Sequence, residues 1–138
     1  MTAPEGTWIV YSDGASRGNP GPASFGAVVI DPSGKEVERI SEAVGVTTNN
    51  VAEYRGLIAG LEAAIAHGAR NVEVRMDSEL IVRQALGRYR VKHPGLIPLF
   101  ERLSALRSRF DKIEFNHVPR AQNRLADALA NQALDLAR

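Results

Sequence analysis

Thr7-Trp8-Ile9-Val10-Tyr11-Ser12-Asp13 runs directly into Gly14-Ala15-Ser16-Arg17-Gly18-Asn19-Pro20-Gly21-Pro22, and this junction decides how the chain begins. The first segment is β-branched and aromatic, the composition of a strand. The second is dense in glycine and proline and reads as loop from Asp13 to Pro22. Ala23 to Asp31 is then a second strand, and Pro32-Ser33-Gly34 turns it into a third, about Glu36 to Val46. The chain therefore opens with an antiparallel meander, and Asp13 ends its first strand.

Beyond Val46 the apolar spacing becomes helical. Thr48 or Asn49 suits an N-cap, Tyr54, Ile58, Leu61 and Ile65 share one face, and Gly68 ends the helix. Asn71 to Asp77 alternates, with Val72, Val74 and Met76 on one side and Glu73, Arg75 and Asp77 on the other. Ser78 can cap a short helix reaching Leu86, which Gly87 stops. A further helix from about Pro94 to Arg109 carries Leu96, Leu99, Phe100, Leu103, Leu106 and Phe110 as a stripe. Ile113, Phe115 and His117 alternate along a last strand, and Asn123 to Arg138 is a terminal helix. The order β-β-β-α-β-α-α-β-α predicts an α/β fold. Its mixed five-stranded sheet has three antiparallel strands followed by parallel ones, flanked by helices.

A chain of 138 residues fits one domain spanning 1–138, with no linker or repeat in it. Hydrophobic residues at 44% and charged residues at 24% make an ordinary globular composition without an apolar run of bilayer length. Met1 to Gly6 lacks the basic start and apolar stretch of a secretory signal. Cysteine is absent, which excludes disulfides and thiolate chemistry and agrees with a cytoplasmic setting. The net charge of +1 is uninformative about nucleic acid, because clustering matters more than the total. Arg88, Arg90, Lys92 and His93 form one such cluster. No apolar stripe is left over from the core, so a monomer is expected.

Four acidic residues fall at element ends. Asp13 and Asp77 close two strands, while Glu53 and Asp127 stand in the first turns of two helices. Each alone has a local explanation, as a turn former, a cap or a partner for a helix dipole. Brought together, they repel unless a cation neutralises them, and oxygen ligands without thiolates suit magnesium or manganese. Two such ions roughly 3.5–4 Å apart can activate a water and stabilise the leaving oxygen in phosphoryl displacement.

Tyr11-Ser12-Asp13-Gly14-Ala15-Ser16-Arg17-Gly18-Asn19-Pro20-Gly21, Thr48-Asn49-Asn50-Val51-Ala52-Glu53-Tyr54, Met76-Asp77-Ser78 and Asn123-Arg124-Leu125-Ala126-Asp127 follow one another in order. In this the chain resembles type 1 ribonuclease H, from Trp8 to Leu134. The resemblance implies an endonuclease that cuts the RNA strand of an RNA/DNA hybrid, leaving 5′-phosphate and 3′-hydroxyl ends. It implies two magnesium ions, with manganese as a substitute, held by Asp13, Glu53, Asp77 and Asp127. It places the backbone from Gly14 to Asn19, the side chains of Asn19 and Asn50, and Glu53 against the RNA strand, and Ser16 and Asn49 against the DNA strand. Asn19 before proline also suits a turn, and Asn50 also suits a helix cap.

Two departures from the family pattern stand out. The segment His117-Val118-Pro119-Arg120-Ala121-Gln122 is shorter than the histidine-bearing loop of many bacterial relatives. His117 reads as a packed strand-end residue. The resemblance to relatives that carry a Val-Pro-Arg segment makes Arg120 the candidate to hold the scissile phosphate or stabilise the leaving group, the alternative being a solvated loop arginine. Its guanidinium stays protonated and cannot act as a base. The basic handle of other relatives is reduced to Gly87–Pro94, where Arg88, Arg90 and Lys92 are expected to contact phosphates. Binding should then be weaker and more salt-sensitive. A related nuclease for branched DNA would not be expected to carry the Asn19 and Asn50 motifs. A module that only grips hybrid has no need of four carboxylates near phosphates. A small-molecule phosphohydrolase would need an Asp-x-Asp or P-loop motif that the sequence lacks.

Overall fold

Three long strands, β1 (Thr7–Ser16), β2 (Gly21–Ile30) and β3 (Glu36–Thr47), build the meander, and α1 (Asn49–Ala66) crosses from it to β4 (Asn71–Met76). α2 (Glu79–Ala85) and α3 (Ile97–Arg107) lead to β5 (Lys112–His117), and a 3-10 turn over Arg120–Gln122 precedes α4 (Arg124–Leu136). These elements belong to a computed structural model that describes residues 6–137. Met1–Glu5 and Arg138, which the sequence reading assigned to a leaderless start and to the terminal helix, lie outside the described residues. No helix among the described residues is long and apolar enough to cross a membrane.

The sheet order is β3-β2-β1-β4-β5. β1 pairs antiparallel with β2, and β2 with β3, while β1–β4 and β4–β5 are parallel. This is the predicted mixed sheet. Val10, Val72, Val74 and Met76 are fully or almost fully buried in one core with Leu57, Leu61, Ile81 and Leu103. Truncating a buried leucine such as Leu61 costs about 2–5 kcal/mol in such a setting. Tyr54 is buried too, and its hydroxyl donates to Gln84 Oε1 at 2.5 Å.

The helix signals work as chemistry suggests. Thr48 Oγ1 accepts from Val51 N–H at 3.3 Å, and Ser78 Oγ accepts from Ile81 N–H at 3.4 Å. Gly68 and Gly87 adopt φ of +94° and +78° just past their helices, a conformation that disfavours side chains.

Other expectations are corrected. The segment Asp13–Pro22 is not all loop: β1 continues to Ser16 and β2 begins at Gly21, so only residues 17–20 lie outside the sheet. Asp13 therefore sits inside β1 and not at its end. Pairing with β2 supplies the missing strand character, since Asp13 faces Gly26, Gly14 faces Phe25 and Ser16 faces Ala23. Glu53 stands in the second turn of α1, because the helix already begins at Asn49. α3 starts at Ile97, three residues after Pro94, and it is Pro98 that takes the place near the helix start that proline tolerates. His117 is exposed, not packed: it is the last residue of β5, beyond the buried Phe115, and borders a cleft with Phe115 and Arg88.

Candidate active site

Two glycines next to Asp13 let two helices close on it from opposite faces. A Cβ on Gly14 would stand 2.5 Å from Glu53 N and 2.7 Å from Ala52 C, so the second turn of α1 rests directly on β1. A Cβ on Gly26, the cross-strand partner of Asp13, would stand 2.3 Å from Ala126 O and 2.8 Å from Ala130 N. α4 is thereby pressed against β2, and its first turn carries Asp127. On the third side, the parallel register sets Tyr11 beside Arg75, so Asp13 and Asp77 follow two places on.

The result is an open cleft of about 430 Å³. Asp13, Gly14, Ser16, Asn49, Glu53, Asp77, Arg120 and Asp127 line it, and Ser78 and Asn131 join them. Each of Asp13, Glu53 and Asp77 offers a carboxylate oxygen, and these lie within 4.8 Å of one another. Asp127 stands just outside that trio. Its Oδ1 lies 3.9 Å from Arg120 Nη2, with 80% of the Arg120 side chain exposed.

The trio is held at an electrostatic cost. Burial first, then the charges of Glu53 and Asp77, push the Asp13 carboxyl far above its usual range. Burial likewise raises Glu53, to about 7, against the lowering effect of hydrogen bonds from Asp13 and from the Gly14 backbone. Like charges in a desolvated pocket share a proton when nothing else neutralises them. Asp13 and Glu53 are each only 5% exposed, and Glu53 Oε2 has no hydrogen-bond partner among the described residues. A buried acceptor without a donor costs about 1–3 kcal/mol. A hard divalent cation fits this donor set: it supplies the missing partner and replaces the shared proton.

Asn123 was not singled out by the sequence. It is 1% exposed, and its Nδ2 donates to Ser12 O at 2.9 Å and to Asp77 Oδ1 at 3.2 Å. An asparagine before a helix reads as a cap, but its side chain makes no capping bond here and turns inward to tie Asp77 to β1. Only the tertiary fold reveals that choice.

The other expected site residues are distributed unevenly. Gly14, Ser16 and Asn49 share the cleft with the carboxylates. Asn19 lies on the exposed loop, where its Oδ1 accepts from Asn49 N–H at 3.0 Å and so ties the loop to the start of α1. Asn50 is half-buried and does not line the cleft. Arg88 borders a second cleft between α2 and β5, with Glu79, Arg83, Asn116 and His117. Arg90 and Lys92 are exposed on the segment that follows. Tyr89 is 46% exposed and lies under the Arg83 guanidinium, 5.4 Å from the ring centre.

Comparison with known proteins places this geometry among characterised ones. A family model described as reverse transcriptase-like matches residues 11–133. The bifunctional protein Rv2228c of Mycobacterium tuberculosis is 52% identical over 130 residues, which is 94% of this chain and 36% of that protein. Ribonuclease HI of Halobacterium salinarum is 47% identical over 125 residues, 91% of this chain and 63% of the relative. The chain thus spans about a third to two thirds of the length of these relatives. The crystal structure of LC11-RNase H1 in complex with an RNA/DNA hybrid superposes with a TM-score of 0.88 at 46% identity, covering 94% of this chain and 98% of that one.

Proposed function

The chain belongs to the reverse transcriptase-like family, within its type 1 ribonuclease H branch, and from that premise we propose that it hydrolyses the RNA strand of RNA/DNA hybrids as an endonuclease. The products would carry 5′-phosphate and 3′-hydroxyl ends. The observation that carries the reading is the trio of carboxylates with oxygens within 4.8 Å of one another, Glu53 among them keeping a buried oxygen without a partner, at the floor of an open cleft. Such a floor repels a phosphodiester unless cations cover it. Similarity to LC11-RNase H1, solved with an RNA/DNA hybrid, supports the substrate class.

Asp13, Glu53, Asp77 and Asp127 would hold two magnesium ions, with manganese able to substitute. Divalent ions, when bound, activate a water and stabilise the leaving oxygen. The protein's own groups do the rest. Arg120, permanently charged at the rim, would hold the scissile phosphate in line. The backbone from Gly14, with Asn19 and Asn50, would read the RNA strand through its 2′-hydroxyls, while Ser16 and Asn49 meet the DNA strand. Arg88, Arg90 and Lys92 would contact phosphates outside the cleft, at positions that salt screens readily. Residues 1–138 would form one ribonuclease H-like domain, acting as a monomer in the cytoplasm.

The test is cleavage of a strand-labelled RNA/DNA hybrid with magnesium, manganese or chelator, for wild type beside Asp13→Asn. Metal-dependent cutting confined to RNA, and lost in the variant, is the expected result. Folded wild type that binds hybrid yet cuts it in neither metal would overturn the enzymatic reading in favour of a binding module.

A further inference from the structure

Asp127 differs from the trio in what holds it. Its Oδ1 has two suitors from different elements: Arg120 Nη2 from the loop at 3.9 Å, and Asn131 Nδ2 from the next turn of α4 at 3.3 Å. Asn131 Nδ2 also donates to Asp127 O at 2.9 Å, which fixes the carboxamide against the helix. The distance to Arg120 is beyond hydrogen-bond range, whereas the bond from Asn131 is within it. Residues four apart on a helix are neighbours, so Asn131 reaches the carboxylate with little loss of freedom. Asn131 also lines the cleft that the four carboxylates share.

We propose that Asn131 is a positioning residue, whose carboxamide keeps Asp127 turned toward the trio and out of a closed ion pair with Arg120. The proposal rests on the reading of Asp127 as a metal ligand. Without Asn131 the guanidinium of Arg120, 3.9 Å from Asp127 Oδ1, is a cation within reach of it, on a side chain exposed enough to move toward it. A carboxylate in a bidentate arginine pair presents fewer lone pairs to a cation. The competition would lower metal affinity without touching the buried trio. Because Asn131 is exposed and alanine favours helix, its truncation leaves folding intact.

The experiment is calorimetric titration of manganese into the full chain for wild type, Asn131→Ala, Arg120→Ala and the double variant, with melting temperatures measured alongside. Loss of a group that orients a metal ligand typically weakens binding about 10-fold or more, and that is expected for Asn131→Ala at unchanged melting temperature. In the double variant the competitor is gone, so affinity should return to that of Arg120→Ala alone. Affinity unchanged in Asn131→Ala, or equally weakened with and without Arg120, would overturn the proposal. So would a loss that tracks a lowered melting temperature. Wild type that binds no manganese would overturn the metal reading beneath it as well, which separates the two failures.

Discussion

Glu53 and Asp127 occupy the same cleft in opposite circumstances. Glu53 is 5% exposed, pressed against the β1 backbone at Gly14, with one oxygen unpartnered. The Asp127 side chain is 30% exposed, stands outside the trio, and has both Arg120 and Asn131 beside it. The inner group is desolvated and short of a partner. The outer group is more exposed and is held by side chains that substitution can remove. Affinity for cations should therefore be built into the inner trio, and adjustment of the site should happen at its edge.

The largest effect expected from this contrast is on turnover. Asp13→Asn removes an inner ligand and should lower hybrid cleavage about 10³-fold or more, since several kcal/mol of charge stabilisation go with it. Asp127→Asn alters the edge, and a smaller loss of roughly 10- to 100-fold is expected. Initial rates on a labelled hybrid at saturating magnesium compare the two, and equal losses would break the contrast.

Packing should show the same asymmetry. Gly14→Ala drives a Cβ to 2.5 Å from a backbone nitrogen of α1, where no flexible side chain can yield. Overpacking of this kind costs about 1–3 kcal/mol and should reduce both denaturant stability and manganese affinity. Truncation of Asn131 at the edge leaves stability unchanged.

A smaller effect lies in the pH dependence of the metal-free protein. Asp13 and Glu53 titrate above their unfolded values in the folded state, so the folded protein keeps protons that the unfolded chain has released. Stability in chelator should be greatest below the ordinary carboxylate range and fall as pH rises through about 7, the value to which Glu53 is pushed. Magnesium at pH 8 should restore it. Asp13→Asn should raise the metal-free melting temperature at that pH by roughly 3–6 °C, corresponding to about 1 kcal/mol. A metal-free melting temperature that rises from pH 5 to pH 8 would contradict the buried trio.

Much of this was legible in the order of residues. Alternation in Asn71–Met76, the helical face of Tyr54, Ile58 and Leu61, and the caps Thr48 and Ser78 are local signals, and the structure honours each. Their order along the chain also implies a mixed sheet. The motifs around Asp13, Glu53, Asp77 and Asp127 marked the acidic residues of the cleft before any contact was known. Local reasoning misled where pairing overrides propensity. Gly14 and Gly21 look like loop glycines, yet each lies in a strand, and Gly14 is there to let α1 approach. His117 alternates as a core residue would, but it is the last residue of its strand and lies beyond the packing that buries Phe115.

What the sequence by itself determined is the chemistry available: four carboxylates, a permanent cation at Arg120, no thiols, and elements in an order that permits one sheet. Tertiary structure decided which carboxylates are buried, that three oxygens meet within 4.8 Å with the more exposed Asp127 at their edge, and that Asn123 and Asn131 each donate to a carboxylate as well as to a backbone oxygen. The physical reason is that propensity and charge are properties of a residue and its neighbours in the chain. Desolvation and hydrogen-bond competition depend on what the fold brings near, and here two glycines that admit two helices set both.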